Sequence, residues 1–378
     1  MSGDSTKADK TFTKTKQAGA DSVKIQQLFK LMVESGASDL HLTVGTPPGL
    51  RVNGEIVRVK IPALSAADSK RLVYQILTEE QKNELEKNLE LDFSFGIKGL
   101  ARFRSNVFYS KGGVAAVFRQ IPSIIPDFKS LRLPNVLLEM TDVTNGLILV
   151  TGPTGSGKST TLAALIDRLN ENEAGHIITL EDPVEFVHPH KSCIVNQREI
   201  GTDSLSFENA IKSLLRQDPD IVLVGEMRDP ETIEAALTIA ETGHLVFGTL
   251  HTNSCIQTIN RVINVFPAHQ QSQIRTLLSF VLQGVVSQQL LPKSFEPGRC
   301  LGLEVLVPTP AIRNLIREDK IHQIYSQMQI GQDKSGMMTM NQTIKKHVDA
   351  GLIDTDTAMS YSTNPEELAK QLGVKERG

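Results

Sequence analysis

The stretch Gly152-Pro153-Thr154-Gly155-Ser156-Gly157-Lys158-Ser159 follows the apolar run Leu147-Ile148-Leu149-Val150, with only Thr151 between them. From Thr160 onward, Leu162, Leu165, Ile166 and Leu169 recur at the i, i+3, i+4, i+7 spacing of an amphipathic helix. Buried strand, glycine-rich turn and helix N-terminus in that order predict a site for a nucleoside polyphosphate. The glycines let backbone N–H groups turn inward around phosphate, Lys158 places a point charge near its outer oxygens, and the Ser159 hydroxyl can reach Mg²⁺. Residues 152–160 are therefore the expected contacts.

Outward from that loop, the apolar runs 147–150, 176–180, 221–224 and 245–249 alternate with helical patterns. This alternation predicts a parallel sheet covered on both faces, with ligands gathering beyond the carboxyl ends of its strands. Polar residues stand at those ends. After the second run comes Glu181-Asp182-Pro183-Val184-Glu185-Phe186, whose carboxylates can orient or deprotonate a water or bind Mg²⁺ through water. After the third comes Gly225-Glu226-Met227-Arg228-Asp229, an apolar strand ending in a carboxylate, with Glu where Asp is usual. His251 follows the fourth run and His244 precedes it.

The 378 residues exceed the size at which one hydrophobic core stops growing, so two folded domains are expected. Residues 1–21 have almost no large apolar side chains and are expected to be a disordered tail. Residues 22–121 have the pattern of an α+β domain. It should contain a helix from Val23 stopped by Gly36, a strand at 40–44, a hairpin over 50–59 bending at Asn53-Gly54, one helix from Ser65 or Asp68 to about Leu89, and strands at 91–95, 101–109 and 114–121. A proline-containing connector at 122–134 leads to the phosphate-loop domain at 135–378. A net charge of −3 leaves no global footprint for nucleic acid. Cys193, Cys255 and Cys300 are too scattered for a zinc site and read as buried thiols of a reducing compartment. No apolar run approaches 18 residues and no signal-peptide pattern opens the chain, so a cytosolic protein without membrane insertion is expected.

The phosphate loop, the ITLEDPVEF segment at 178–186, the LVGEMRD segment ending at Asp229 and the GHLVFGTLHTNS segment at 243–254 resemble the Walker A, Asp box, Walker B and His box of the secretion ATPases, the motors of type II secretion and type IV pili. Within them the likeness is to the pilus retraction ATPases, the PilT type, over about residues 23–350. Its most specific part is Ala311-Ile312-Arg313-Asn314-Leu315-Ile316-Arg317-Glu318, a motif of retraction motors. Helical periodicity alone would place Ile312, Leu315 and Ile316 inward and leave Arg313, Arg317 and Glu318 solvated.

The resemblance implies a PAS-like first domain, a RecA-like ATPase domain with C-terminal helices, and a ring of six chains. It implies that Lys158 and Ser159 hold phosphates and Mg²⁺, that Glu185 is the general base, and that Glu226 organises the magnesium shell. His251 would sense the γ-phosphate of ATP, and His244 would support an interface. Arg102, Arg104 and Arg119 resemble the arginines this family brings toward nucleotide from its first domain. The implied partner is an inner-membrane pilus platform protein, met at the cytoplasmic face, with a paralogous accessory ATPase as a further possible partner. Four alternatives stay open: an accessory retraction paralogue, an extension or secretion ATPase, a RecA-like nucleic-acid translocase, and a regulatory protein whose nucleotide pocket is only a switch. Extension and type II secretion ATPases carry a four-cysteine zinc insertion, which three cysteines cannot build. The tail and residues 354–378 match no motif of the family.

Overall fold

Two separate sheets organise the chain in the computed structural model, which describes residues 23–122, 124–330 and 335–374. The tail expected at 1–21 lies outside the described residues. The first unit ends at Ile124 and the second begins at Ile125.

In the first unit an antiparallel sheet has the order β3 (Glu55–Arg58), β2 (Gly49–Val52), β1 (Asp39–Leu42), β6 (Gly113–Ile121), β5 (Ala101–Ser110), β4 (Glu90–Ile97). Helix α1 (Ile25–Glu34) buries Ile25, Leu28, Phe29, Leu31 and Met32. Phe29 lies 4.6 Å from the Phe103 ring and 5.0 Å from that of Phe118, so aromatic area on one face of the sheet anchors this core. The chain leaves α1 at Ser35, and Gly36 follows at φ +66°.

The single helix expected up to Leu89 is two helices, α2 (Ala66–Tyr74) and α3 (Glu79–Asn88). Thr78 divides them. Its hydroxyl accepts from Gln81 N and its own N–H donates to the Gln81 side chain, a capping box that starts a new helix. The strand expected at 40–44 also stops two residues early, at Leu42.

The second unit carries a seven-stranded sheet in the order β13 (Arg299–Leu306), β12 (Leu282–Pro292), β7 (Gly146–Thr151), β11 (Leu245–Leu250), β10 (Ile221–Val224), β8 (His176–Glu181), β9 (Ile194–Glu199). All neighbours are parallel except β12 and β13. Strands β7, β10 and β11 are buried throughout, as continuous apolar runs flanked by helices require. Helix α5 (Lys158–Asn172) buries Leu162, Leu165, Ile166 and Leu169, each worth about 1.5–3 kcal/mol when fully withdrawn from water.

The helices that complete this unit are α4 (Asn135–Glu139), α6 (Phe207–Leu214), α7 (Pro230–Glu241), α8 (Cys255–Asn264), α9 (Ala268–Val281), α10 (Pro310–Arg317), α11 (Ile324–Ile330), α12 (Met340–Asp349), α13 (Thr355–Tyr361) and α14 (Pro365–Leu372). The last three bury Met340, Ile344, Ala358 and Leu368 in a cluster with Leu291 and Cys300. The C-terminal segment without a motif is thus part of the packed unit as far as Leu372. No helix among the described residues is long and apolar enough to cross a membrane.

Candidate functional site

Because β7, β8, β10 and β11 run parallel and in register, their carboxyl ends fall on one edge of the sheet. Four polar segments, distant in sequence, are thereby brought to that edge. The loop after β7 has the backbone its glycines permit: φ is +141° at Gly152, +79° at Gly155 and +90° at Gly157. A Cβ on Gly152 would stand 2.1 Å from the Gln288 carbonyl oxygen, so only glycine fits there. Pro153, Thr154 and Gly155 are exposed, Ser156 is buried, and Lys158, Ser159 and Thr160 are half-buried in the first turn of α5. No side chain caps that helix, which leaves its N-terminal N–H groups available to an anion. Lys158 Nζ lies over the loop, donating to the carbonyls of Gly152 at 2.8 Å and Pro153 at 3.1 Å. Burial lowers the Lys158 pKa, and the Glu226 charge opposes that shift.

Glu226 and His251 meet. The Glu226 carboxylate accepts from Arg228 at 2.7 Å and lies 3.2 Å from His251 Nε2. The hydrogen bond from Arg228 is the largest influence on Glu226; with the charges of Arg228 and His251 it outweighs burial and holds the carboxyl below its ordinary pKa. The start of the segment after β11 is tied through hydroxyls to the end of β7, the strand that leads into the phosphate loop. Thr252 and Thr258 are 2.7 Å apart, and Thr258 donates to Thr151 at 3.2 Å. An ionised Glu226 and the Ser159 hydroxyl are hard oxygen donors of the kind Mg²⁺ takes.

The Asp-box loop places Glu185 at the surface and Glu181 inside. Glu181 accepts from Thr179 at 2.6 Å, from Gln197 at 3.1 Å and from the Glu185 N–H at 3.2 Å. Burial raises its pKa in spite of these bonds. Of the two glutamates, the buried one holds the loop and the exposed one faces solvent.

His244 is not brought to this edge. It precedes β11, about 20 Å of strand away from His251. Its Nδ1 lies 3.0 Å from Ile239 O and 3.1 Å from Thr242 Oγ1 at the end of α7. There it completes a helix end.

Arg102, Arg104 and Arg119 share one face of the first sheet. Arg104 is the register partner of Arg119, and Arg102 lies two residues along β5. Arg119 donates to Asp39 at 2.8 Å from the adjoining strand β1, and Arg51 stands 3.8 Å from the same carboxylate. Nothing along the chain links Arg119 to this partner, 80 residues away.

Two further features lie outside any motif of the chain. Gln288, on β12, donates to the Ser156 carbonyl at 2.8 Å and so supports the phosphate loop from beneath. Beside the first turn of α5 lies a cavity of about 430 Å³, lined among others by Gly157, Thr160, Gln288, Leu290, Arg299 and His347. The only sequence signal was a glutamine pair, Gln288-Gln289, interrupting an apolar run.

The segment from Ala311 to Glu318 forms α10 and its C-cap, with Ile312 and Ile316 fully buried and Leu315 half-buried. Ala311, Asn314, Arg317 and Glu318 are exposed. Arg313 departs from expectation, being half-buried rather than solvated. Its guanidinium donates to the carbonyls of Ser279 at 2.7 Å and Phe280 at 2.9 Å in the last turn of α9, and to Gln283 Oε1 at 3.2 Å.

Residues 16–360 match the family described as type II/IV secretion system protein. The chain is 51% identical over 344 residues to the type IV pilus retraction ATPase PilT of Pseudomonas aeruginosa, covering 91% of this chain and 99% of that one. It is 48% identical over 337 residues to a twitching motility protein of Neisseria gonorrhoeae, covering 89% and 90%. The crystal structure of the pilus retraction motor PilT with bound ADP superposes with a TM-score of 0.86 at 52% identity, covering 92% of this chain and 99% of that chain. A PAS-like α+β domain and a RecA-like phosphate-loop domain, joined in this order over nearly the whole length of such relatives, place the chain in the type II/IV secretion system family, among its pilus retraction ATPases.

Proposed function

We propose that this protein is a motor that hydrolyses ATP to retract type IV pili, working as a ring of six chains at the cytoplasmic face of the inner membrane against a platform protein there. The observation that carries the reading is the convergence of the glycine cradle, the Glu226–His251 pair and the Glu185 loop on one sheet edge, in a chain half identical to a pilus retraction ATPase.

In this reading the N–H groups of residues 155–159 and the Lys158 ammonium bind the polyphosphate, and the cavity beside α5 takes the nucleoside. Ser159 and Glu226 would hold Mg²⁺, which supplies charge neutralisation on the phosphate oxygens when bound. Glu185 accepts a proton from the attacking water as it approaches the γ-phosphorus, while Arg102, Arg104 and Arg119 offset the charge that spreads over the γ-phosphoryl oxygens. Loss of the γ-phosphate alters the surroundings of His251, and the Glu226–His251 contact transmits this to α8 through the Thr252–Thr258 link. His244 acts at the contact between chains. The segment from Ala311 to Glu318 serves retraction rather than hydrolysis.

Glu185→Gln is the test. The purified variant should bind ATP as the parent does and lose turnover by at least about 100-fold, the scale of a lost general base. In the host, the same allele should give excess surface pili without twitching. Bald cells would instead indicate extension, unchanged piliation an accessory motor, and near-parental turnover would remove Glu185 from its role. Stimulation of turnover by single-stranded DNA would point to a translocase.

A further inference from the structure

Glu185 sits on a loop between β8 and β9, and side chains hold that loop. The Val184 N–H donates to Glu199 Oε2 at 3.3 Å and the Glu185 N–H to Glu181 Oε2 at 3.2 Å. At Phe186 and His188, next after Glu185, the contacts shorten and come from one residue, while Asn170 holds the farther part of the loop at Pro189 and Lys191. Gln197 Nε2 donates to the Phe186 carbonyl at 2.8 Å, and Gln197 Oε1 accepts from the His188 N–H at 2.8 Å. Its Nε2 also donates to Glu181 Oε1 at 3.1 Å. These partners fix the amide's orientation, because a backbone N–H requires the oxygen and a carbonyl requires the nitrogen.

On β9, Val195, Gln197 and Glu199 alternate toward the protein interior, and the ladder sets Gln197 against Thr179 and Glu199 against Glu181. The register therefore puts an amide where it spans the buried Glu181 carboxylate and the backbone on the far side of Glu185.

We propose that Gln197 is a positioning residue for ATP hydrolysis, its side-chain amide clamping the loop that presents Glu185. The inference rests on the reading of Glu185 as general base. A group that acts by geometry should alter turnover and leave nucleotide affinity alone, since a displacement of about 1 Å at a reacting centre can cost about 100-fold in rate. Gln197→Leu removes all three contacts. Gln197→Glu keeps an acceptor for the His188 N–H, loses the NH₂ donor, and sets a second carboxylate against Glu181.

Steady-state kinetics, ATP-analogue binding and amide hydrogen exchange on the full chain test the clamp. Gln197→Leu should lower kcat about 10- to 100-fold, hold KM and the analogue Kd within about twofold, and speed exchange at the amides of Val184, Glu185 and His188. Gln197→Glu should likewise lower kcat, because it loses the donor to the Phe186 carbonyl and sets a carboxylate against Glu181. A kcat within about twofold of the parent for Gln197→Leu, or parallel loss of analogue binding, overturns the proposal, as does unchanged exchange at 184–188. The two readings separate: near-parental turnover in Glu185→Gln removes the base assignment, whereas the exchange rates report on the clamp independently.

Discussion

Glu226 shows how one residue serves several contacts. Its carboxylate stands at the end of a buried strand, where burial alone would favour the neutral form, yet Arg228 and His251 keep it ionised and available to a cation. Asp39 repeats the pattern in the first unit. Burial pushes its pKa up, but the hydrogen bonds from Ser38 and Arg119 and the Arg119 charge more than offset this, so the net shift is downward. A carboxyl whose folded pKa lies below its unfolded value adds stability that is present above the unfolded value, near 3.9, and is lost as pH falls through the folded one. Asp39→Asn should therefore destabilise the first unit by about 1 kcal/mol at neutral pH and by progressively less toward pH 3. Urea midpoints from pH 3 to pH 7 check this, and an equal loss at every pH would contradict it. The cost stays small because Arg119 is largely exposed and water solvates the charge left behind. Glu226 and His251 were legible as site residues because each follows the end of a parallel strand, and Lys158 because it closes the glycine-rich phosphate loop. Asp39 was not, since only antiparallel pairing of β1 with β6 sets it beside Arg119.

At the scale of elements, α10 fastens to α9 through Arg313. The last carbonyls of a helix lack intrahelical partners, and Arg313 supplies donors to two of them while Ile312 and Ile316 bury the opposite contact. Arg317 also lies over the exposed Phe280 ring, 5.6 Å from its centre. Arg313→Ala should lower stability by about 1–3 kcal/mol through the orphaned carbonyls. Basal ATP turnover should remain within about threefold while twitching is lost, if the segment serves retraction; thermal unfolding, turnover and colony spreading measured together decide this. Local chemistry explains why some elements could be read and others not. The capping box at Thr78 and Gln81 is written in the sequence and divides what apolar spacing alone reads as one helix. Strand β9 buries Glu199 and strand β12 buries Ser287 and Gln288, so neither shows the unbroken apolar run that marks β7, β10 and β11.

For the whole molecule, the described residues give each chain one phosphate cradle and the Glu185 loop in the second unit and an arginine face on the first. A ring of six would weigh about 250 kDa, six times 41.5 kDa. Light scattering with ATP present should give that mass, and a monomer at all concentrations would exclude the ring. If arginines or His244 of one chain complete the site of another, specific activity should also fall on dilution in step with dissociation.

The sequence by itself determined the phosphate-loop motif, the parallel direction of the core strands, the polar residues that follow those strands and the family resemblance carried by Ala311 to Glu318. These are local patterns, in which spacing and residue type carry the physics. Only the tertiary structure decided that Arg313 is an anchor and not a solvated charge, that Gln288 supports the phosphate loop, that His244 lies at the far edge from His251, and that Gln197 clamps the Glu185 loop. Each of these depends on strand order and register, which bring together residues that no period along the chain connects.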